Sequence, residues 1–117
     1  MSKAERAPAE VFAALGDPTR LSLVMTLSDG QTRSIARLSI DAAMSRQALT
    51  KHLRVLERAG LVESVRAGRE SRFAFRPDAV AAARACLDEA ARQWEDALGR
   101  LKRFVESTPA ISRPPTD

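Results

Sequence analysis

The sequence predicts a mainly α-helical fold with one small β-hairpin and a long C-terminal helix. Three observations lead to this fold class. Apolar residues recur at helical spacing in four segments before residue 60, the period changes to alternation around Gly68, and helical spacing then continues from Pro77 to Ser107. A chain of 117 residues suits a single domain, which we place at residues 1–107. The proline-containing tail, residues 108–117, is expected to be disordered.

The first two predicted helices meet at an Asp-Pro pair. The first covers Pro8 to Leu15, with Phe12 on its apolar face, and ends at Gly16. Asp17 opens the second because its carboxylate can accept hydrogen bonds from the free amides of the first turn, where Pro18 needs no donor. The apolar stripe of the second helix is predicted to consist of Leu21, Val24, Met25 and Leu27.

Two further helices are predicted from their capping residues. Thr32 is expected to cap a third helix over residues 33–42. Ser45 is expected to cap a fourth helix, at about residues 45–58, which ends at Ala59-Gly60.

The hairpin follows, at about residues 61–76. Apolar positions alternate in residues 61–65 and 72–75, on either side of a turn at residues 67–70. Gly68 supplies the positive φ angle that such a turn requires.

Composition excludes several classes of protein. Hydrophobic residues make up 44% and charged residues 29% of the chain, as in ordinary soluble domains. The first ten residues lack the apolar segment of a secretory signal, and no apolar run approaches the ~20 residues of a membrane span. A single cysteine, Cys86, excludes an intrachain disulfide. We therefore expect a cytoplasmic protein with no membrane partner.

The positive charge of the chain is localised. Residues 44–76 contain eight Lys/Arg and three acids, a net charge of +5, so the remainder carries −1 of the total of +4. A basic block beside a nearly neutral remainder is typical of a nucleic-acid-binding surface, although a merely solvated basic face is the alternative.

The fourth helix has one apolar and one basic face. Leu49, Leu53 and Leu56 form a stripe at helical spacing that should be buried. The other face has arginine, glutamine, threonine and lysine side chains and no acid, which suits contacts with base edges and phosphates in a major groove. Its residues are Arg46, Gln47, Thr50, Lys51 and Arg54. The free amides beyond Ser45 can also face a phosphate.

The order of the elements adds to this interpretation. A third and a fourth helix joined by a tight turn at Ala43-Met44 form a helix-turn-helix. The hairpin that follows has arginines around its tip, so we interpret it as a wing that contacts the DNA backbone or the minor groove. The wing arginines are Arg66, Arg69 and Arg72.

Several segments resemble the arsenic-repressor (ArsR/SmtB) family. They are Phe12-Ala-Ala-Leu-Gly-Asp-Pro-Thr-Arg-Leu21, Met44-Ser-Arg-Gln-Ala-Leu-Thr-Lys-His-Leu-Arg-Val-Leu56, Ala59-Gly-Leu-Val62 and Gly68-Arg69. The resemblance implies a winged helix-turn-helix homodimer that represses its operon and releases DNA when an effector arrives. It also implies that seven positions lie at or near DNA, namely Ser45, Arg46, Gln47, Thr50, Lys51, His52 and Arg54. Where the family has leucine and glycine before the Met-Ser pair, this chain has Ala42 and Ala43, so a different turn is expected.

His52 admits two interpretations. It is the only histidine of the chain, so a histidine-based metal cluster cannot form within one chain. A contact with a phosphate or a base edge is preferred. The alternative is a side chain partly packed beside Leu53 and Leu56.

The last helix, at about residues 77–107, has an apolar seam. Val80, Leu87, Trp94 and Leu101 are seven residues apart, and a second row follows three residues after each of them. Such a seam suits pairing with a second helix, although packing on the chain's own second helix is the alternative. We expect a homodimer interface formed by Phe12, Val80, Leu87, Trp94, Leu98, Leu101 and Phe104. Such a dimer would place the two copies of the fourth helix, which we call the reading helices, ~34–36 Å apart on an inverted repeat.

No metal or other cofactor is expected. The third helix has no cysteine and the last helix no histidine, while the acids of the last helix, Asp88, Glu89, Glu95 and Asp96, would bind a hard cation only weakly. For Cys86, a partly buried inert thiol is preferred to a thiol sensor. The identity of the effector is left open: it is either an organic ligand bound beside Trp94, or no small molecule acts on the protein at all.

The sequence therefore predicts a sequence-specific, DNA-binding transcriptional regulator. We expect a homodimeric repressor that binds double-stranded DNA at an inverted-repeat operator, with an unidentified effector that is not a metal. The rival class is a protein–protein interaction module that docks an acidic partner. An enzyme is disfavoured because the sequence has no nucleophile–base pair, phosphate-binding glycine loop or paired carboxylates in a predicted cleft.

Overall fold

The computed structural model describes residues 3–107, and their side chains from Pro8 onward. The elements, in chain order, are α1 (Lys3–Leu15), α2 (Pro18–Leu27), β1 (Arg33–Ser34), α3 (Ile35–Asp41), α4 (Arg46–Arg58), β2 (Val62–Ala67), β3 (Glu70–Phe75) and α5 (Pro77–Glu106). The predicted class, mainly α with a small β-hairpin and a long last helix, is confirmed. The predicted disordered tail, residues 108–117, lies outside the described residues.

Contacts divide the chain into two units. The first runs to Arg84 and contains every element up to the first two turns of α5. The second starts at Ala85 and contains the rest of that helix.

The core of the first unit is built mainly from leucines. Leu49, Leu53 and Leu56 of α4 are fully buried, as their spacing predicts, and they pack with Leu27 of α2 and Leu38 of α3. The other buried core residues are Val11, Ala14, Leu23, Val24, Leu61, Val62, Phe73 and Ala83. α4 therefore has one face fixed in the core, and its opposite face is left for solvent.

The first two helices differ in detail from the prediction. α1 begins at Lys3 rather than at Pro8, because the Lys, Ala, Glu and Arg residues before Pro8 favour a helix. On α2 the predicted apolar stripe is wrong in part, since Leu21 and Met25 are 45% and 67% exposed. The face that packs into the core consists of Leu23, Val24 and Leu27.

The segment before α3 also differs from the prediction. Thr32 does not cap this helix; Ser34 does, by accepting a hydrogen bond from the amide of Arg37 at 3.1 Å. Arg33 and Ser34 instead form a short strand, so the hairpin belongs to a three-stranded antiparallel sheet of order β1-β3-β2. This third strand joins the loop after α2 to the hairpin.

The hairpin itself is as predicted, with longer strands. β2 and β3 pair from Val62↔Phe75 to Ala67↔Glu70. Gly68 has a φ of 65°, the positive value that the turn requires.

The turn between α3 and α4 is formed by an alanine in a left-handed conformation. Ala43 has a φ of 52°, where most chains would place glycine. The amide of Met44 donates to the carbonyl of Ser39 at 3.1 Å, and that of Ala43 to Ile40 at 3.2 Å. This pair of hydrogen bonds is the Schellman arrangement that normally ends a helix at a left-handed residue. The Ala-Ala pair thus adopts a helix-ending turn at the cost of backbone strain.

Relief of this strain gives a first testable prediction. Ala43→Gly should stabilise the fold by about 0.5–1 kcal/mol, because the left-handed penalty of alanine outweighs the extra backbone freedom of glycine in the unfolded state. Ala42→Gly is the matched control, since Ala42 has a φ of −87° and gains no relief. Thermal denaturation should show a higher Tm for Ala43→Gly and a lower one for Ala42→Gly. Equal losses in both variants would contradict the strain argument.

Candidate nucleic-acid interface

Helix α4 is held at its start by the residue that the sequence predicts. Ser45 has an extended backbone, and its hydroxyl oxygen accepts a hydrogen bond from the amide of Ala48 at 3.1 Å. Because the leucine face of α4 is buried, the direction of the opposite face is fixed relative to the core. The helix ends at Ala59, and Gly60 follows with a φ of 79°.

The outward face of α4 is basic and open. Arg46, Gln47, Lys51 and Arg54 are exposed, and their side chains make no hydrogen bond or ion pair with any other residue that the structure describes. A shallow depression of about 480 Å³ lies along this face, lined by Arg46, Gln47, Thr50 and Lys51. The acid of this helix, Glu57, lies in its last turn. The side chains are therefore available to an external anion or hydrogen-bonding surface.

Thr50 is partly used within its own helix. Its hydroxyl donates to the carbonyl of Arg46 at 2.7 Å, so its proton is engaged. Its oxygen lone pairs can still accept a hydrogen bond from outside.

His52 lies in a polar cluster at the start of α2. Its side chain is 24% exposed, with Nδ1 3.8 Å from Asp17 Oδ2 and 3.5 Å from Arg20 Nη1. In the neutral ring protonated on Nε2, Nδ1 accepts from Arg20. The ring thus contacts the first turn of α2, and a DNA contact from His52 stays a prediction.

Arg20 is the residue of this cluster that sequence reasoning missed. Its Nε donates to the carbonyl of Ala14 at 2.6 Å and its Nη2 to that of Ala13 at 3.4 Å, so it caps the end of α1. The signal lay in the segment Asp17-Pro-Thr-Arg20, where an arginine one turn after a helix start can reach back to the previous helix. Arg20 thereby links α1, α2 and α4.

Asp17 caps α2 as predicted. Its Oδ2 accepts from the amide of Arg20 at 3.0 Å. This hydrogen bond, with smaller effects from the charges of Arg20 and His52, lowers the pKa of Asp17 below its usual value. The stabilisation by the ionised cap is therefore present at neutral pH and is lost as the pH falls through the lowered pKa.

The three wing arginines are placed differently. Arg69 is exposed at the turn, with no hydrogen-bond partner among residues 3–107, and Arg66 is exposed beside it, with Nε 3.4 Å from the carbonyl of Gly68. Arg72 is partly buried and donates to Thr32 and Glu70. The structure therefore brings two of the three predicted arginines to the tip of the wing.

The predicted dimer residues fall into two groups. Phe12 and Val80 are partly buried and pack against the core of the first unit. Leu87, Trp94, Leu98, Leu101 and Phe104 are each more than half exposed along α5, Trp94 at 71%. Packing of α5 on the chain's own core is therefore observed at its first turns, and the later turns present an exposed apolar row.

Cys86 is exposed, which makes the predicted partly buried thiol wrong. Its neighbour Leu87 belongs to the exposed row, so the whole flank of the seam at this point faces solvent.

Residues 3–107 offer neither a metal-binding cluster nor a membrane span. No three His, Cys, Asp or Glu side chains in this part of the chain converge on a point where they could hold a metal ion. None of its helices combines the length and the apolar character needed to cross a bilayer.

Comparison with known proteins agrees with this geometry. A family model described as "Helix-turn-helix domain" matches residues 15–65. The HTH-type transcriptional regulator Rv2034 of Mycobacterium tuberculosis is 34% identical over 102 residues, which cover 87% of this chain and 92% of that protein.

Solved structures give the same result. An ArsR-like transcriptional regulator from Rhodococcus sp. RHA1 superposes with a TM-score of 0.77 at 34% identity, covering 88% of this chain and 96% of that one. A second ArsR family transcriptional regulator superposes with a TM-score of 0.71 at 28% identity, covering 81% and 97%. These relatives are regulators of transcription rather than enzymes, as the sequence predicts. The chain belongs to the ArsR-like family of winged helix-turn-helix, DNA-binding transcriptional regulators.

Proposed function

We propose that the chain binds an inverted-repeat operator as a homodimer and represses transcription there. The observation that carries the proposal is the outward face of α4, where exposed Arg46, Gln47, Lys51 and Arg54 stand together without an acid or an internal partner among the described residues. Folded proteins usually intersperse such groups with acids to form i, i+4 pairs, so this face suits a polyanion.

The chemistry of these side chains assigns their roles on DNA. In a major groove, Arg46 and Gln47 suit bidentate hydrogen bonds to base edges, while Lys51 and Arg54 suit the phosphates that border it. The free amides beyond Ser45 add a phosphate contact at the start of the helix. Arg66 and Arg69 of the wing would contact the backbone or a narrow minor groove. The proposed contact residues on α4 and its cap are Ser45, Arg46, Gln47, Thr50, Lys51, His52 and Arg54.

The exposed row on α5 supports the homodimer. Leu87, Trp94, Leu98 and Leu101 follow one another at seven, four and three residues, so they lie on one face of the helix. A contiguous exposed face of this kind is costly in water, and a second copy of the same helix would cover it. Twofold symmetry would then present two reading helices to successive turns of a duplex.

Repression follows from occupancy. A dimer that occupies two successive turns of a promoter competes with polymerase for the same DNA, and no enzymatic activity is needed. We propose that residues up to 107 act as one functional domain and that it acts in the cytoplasm. Neither a metal nor a specific small-molecule effector is part of this proposal.

The experiment is a binding titration with a sequence control and a salt series. Duplex fragments selected from the source genome, and scrambled duplexes of the same composition, would be titrated by fluorescence anisotropy. We expect a selected fragment to bind roughly 10³-fold more tightly than its scrambled version. The logarithm of the binding constant should fall with log salt at a slope near −0.9 for each phosphate contacted. Binding without sequence preference, or without salt dependence, would instead favour the interaction module.

A further inference from the structure

The guanidinium of Arg72 is held within the protein through all three of its nitrogens. Nε donates to the hydroxyl oxygen of Thr32 and Nη2 to the carbonyl of the same residue, both at 3.0 Å. Nη1 pairs with Glu70 at 3.0 Å, so the positive charge of Arg72 has a neighbouring carboxylate. Each of its three nitrogens therefore has an acceptor within the chain, which uses three of the five N–H donors of the group.

The acceptor residue is itself attached to the end of α2. Next to Thr32, Arg33 forms an ion pair with Asp29 at 2.6 Å and donates to the carbonyl of Thr26 at 3.0 Å. The hydrogen bond from Arg33, followed by that from the amide of Gln31, lowers the pKa of Asp29 to about 2. The pair therefore stays ionised at any pH used for binding assays. The contacts of Arg33 with Asp29 and Thr26 thus hold the loop from Asp29 to Arg33 against the end of α2.

The wing needs such an attachment. Beyond Arg72 on β3 and Val65 on β2, every residue from Arg66 to Glu70 is exposed, and an isolated two-stranded hairpin is only marginally stable in water. Near the tip, β3 is paired on its other side with β1 at Ser34↔Arg72. Arg72 thus lies at the last point where the sheet is three strands wide.

We propose that Arg72 is a positioning residue, which fixes the wing to the loop after α2 through Thr32, and that the wing's own DNA contacts come from Arg66 and Arg69. This inference rests on the proposed DNA binding. It changes the role that the sequence predicts for Arg72 from a DNA contact to a support, and it adds Thr32 to the residues on which binding depends.

Charge-conserving variants separate the two roles. Arg72→Lys keeps the charge but loses the planar fork that reaches both Thr32 acceptors, so operator affinity should fall about tenfold. Thr32→Val removes one acceptor and should cost about threefold alone, with no further loss in the Arg72→Lys background. Arg84→Lys is the matched control and should stay within about twofold, because Arg84 is exposed on α5 and lies outside the proposed DNA contacts. An Arg72→Lys affinity within about twofold of wild type, or a Thr32→Val loss that adds in full to that of Arg72→Lys, would overturn the proposal.

A measurement without DNA keeps the two proposals apart. Amide hydrogen exchange of the free protein should be faster in residues 66–75 of Arg72→Lys and Thr32→Val, and unchanged there in Arg84→Lys. If no duplex binds the wild type but exchange responds in this way, the DNA-binding proposal fails and the attachment of the wing stands. If exchange is unchanged in both Arg72→Lys and Thr32→Val, the proposal that Arg72 fixes the wing through Thr32 is wrong, regardless of the DNA-binding result.

Discussion

Leu87→Glu together with Leu101→Glu is expected to convert the chain into monomers and to weaken operator binding by roughly 100-fold or more. Both side chains belong to the exposed apolar row of α5, where a symmetric partner would bring two copies of each new carboxylate into an apolar contact. A monomer holds only one half-site, so it loses the high effective concentration that a linked second reading helix provides. Sedimentation equilibrium and anisotropy on the same preparations would measure the two effects.

The matched control places the same charges on the other side of the helix. Ala85 and Gln93 are exposed on α5 and lie away from the row that Leu87, Leu98 and Leu101 form. Ala85→Glu with Gln93→Glu adds the same two negative charges, and it should therefore remain dimeric and should bind DNA far better than the row variant. A wild-type chain that sediments as a monomer, or a row variant that keeps the dimer mass, would remove α5 from the interface.

The parts of this fold that follow from the sequence are those fixed by neighbours along the chain. The start of α4 at Ser45 depends on a cap that reaches three residues, and the buried stripe of Leu49, Leu53 and Leu56 on a period of the same helix. The turn at Gly68 likewise depends on one residue and its two flanking strands. The same locality explains why the basic face of α4 could be predicted from spacing alone.

The parts that were mispredicted depend on distant partners. Nothing near Arg72 indicates that its guanidinium would find Thr32, forty residues earlier in the chain, or that Arg33 would form a strand. On α2, apolar residues are so frequent that the local pattern fits more than one face, and only packing against α4 and β3 selects Leu23 over Leu21. Periodicity along the chain therefore cannot identify site residues, such as Arg20, whose roles come from tertiary contacts.

Substitutions on the basic face of α4 should reduce discrimination between operator and scrambled duplex more than they reduce overall affinity. Arg46→Ala with Gln47→Ala should reduce the ratio of operator to scrambled-duplex affinity by roughly 10-fold or more, since a bidentate base contact is worth about 1–3 kcal/mol of discrimination. Alanine favours helix and both side chains are exposed, so the fold should be retained. Arg69→Ala should instead weaken binding to both duplexes equally and make the salt slope shallower by about 0.9 for each phosphate that the wing no longer neutralises.

Arg84→Ala separates the effect of an arginine's position on DNA binding from the effect of its charge. Arg84 is exposed like Arg46 and carries the same charge, but it lies on α5 and outside the basic face. If the general positive field of the protein were responsible for binding, all three arginine variants would lower both affinities together and leave their ratio unchanged. If α4 reads the bases, only the α4 variant changes that ratio, because base edges differ between the duplexes while their phosphates do not.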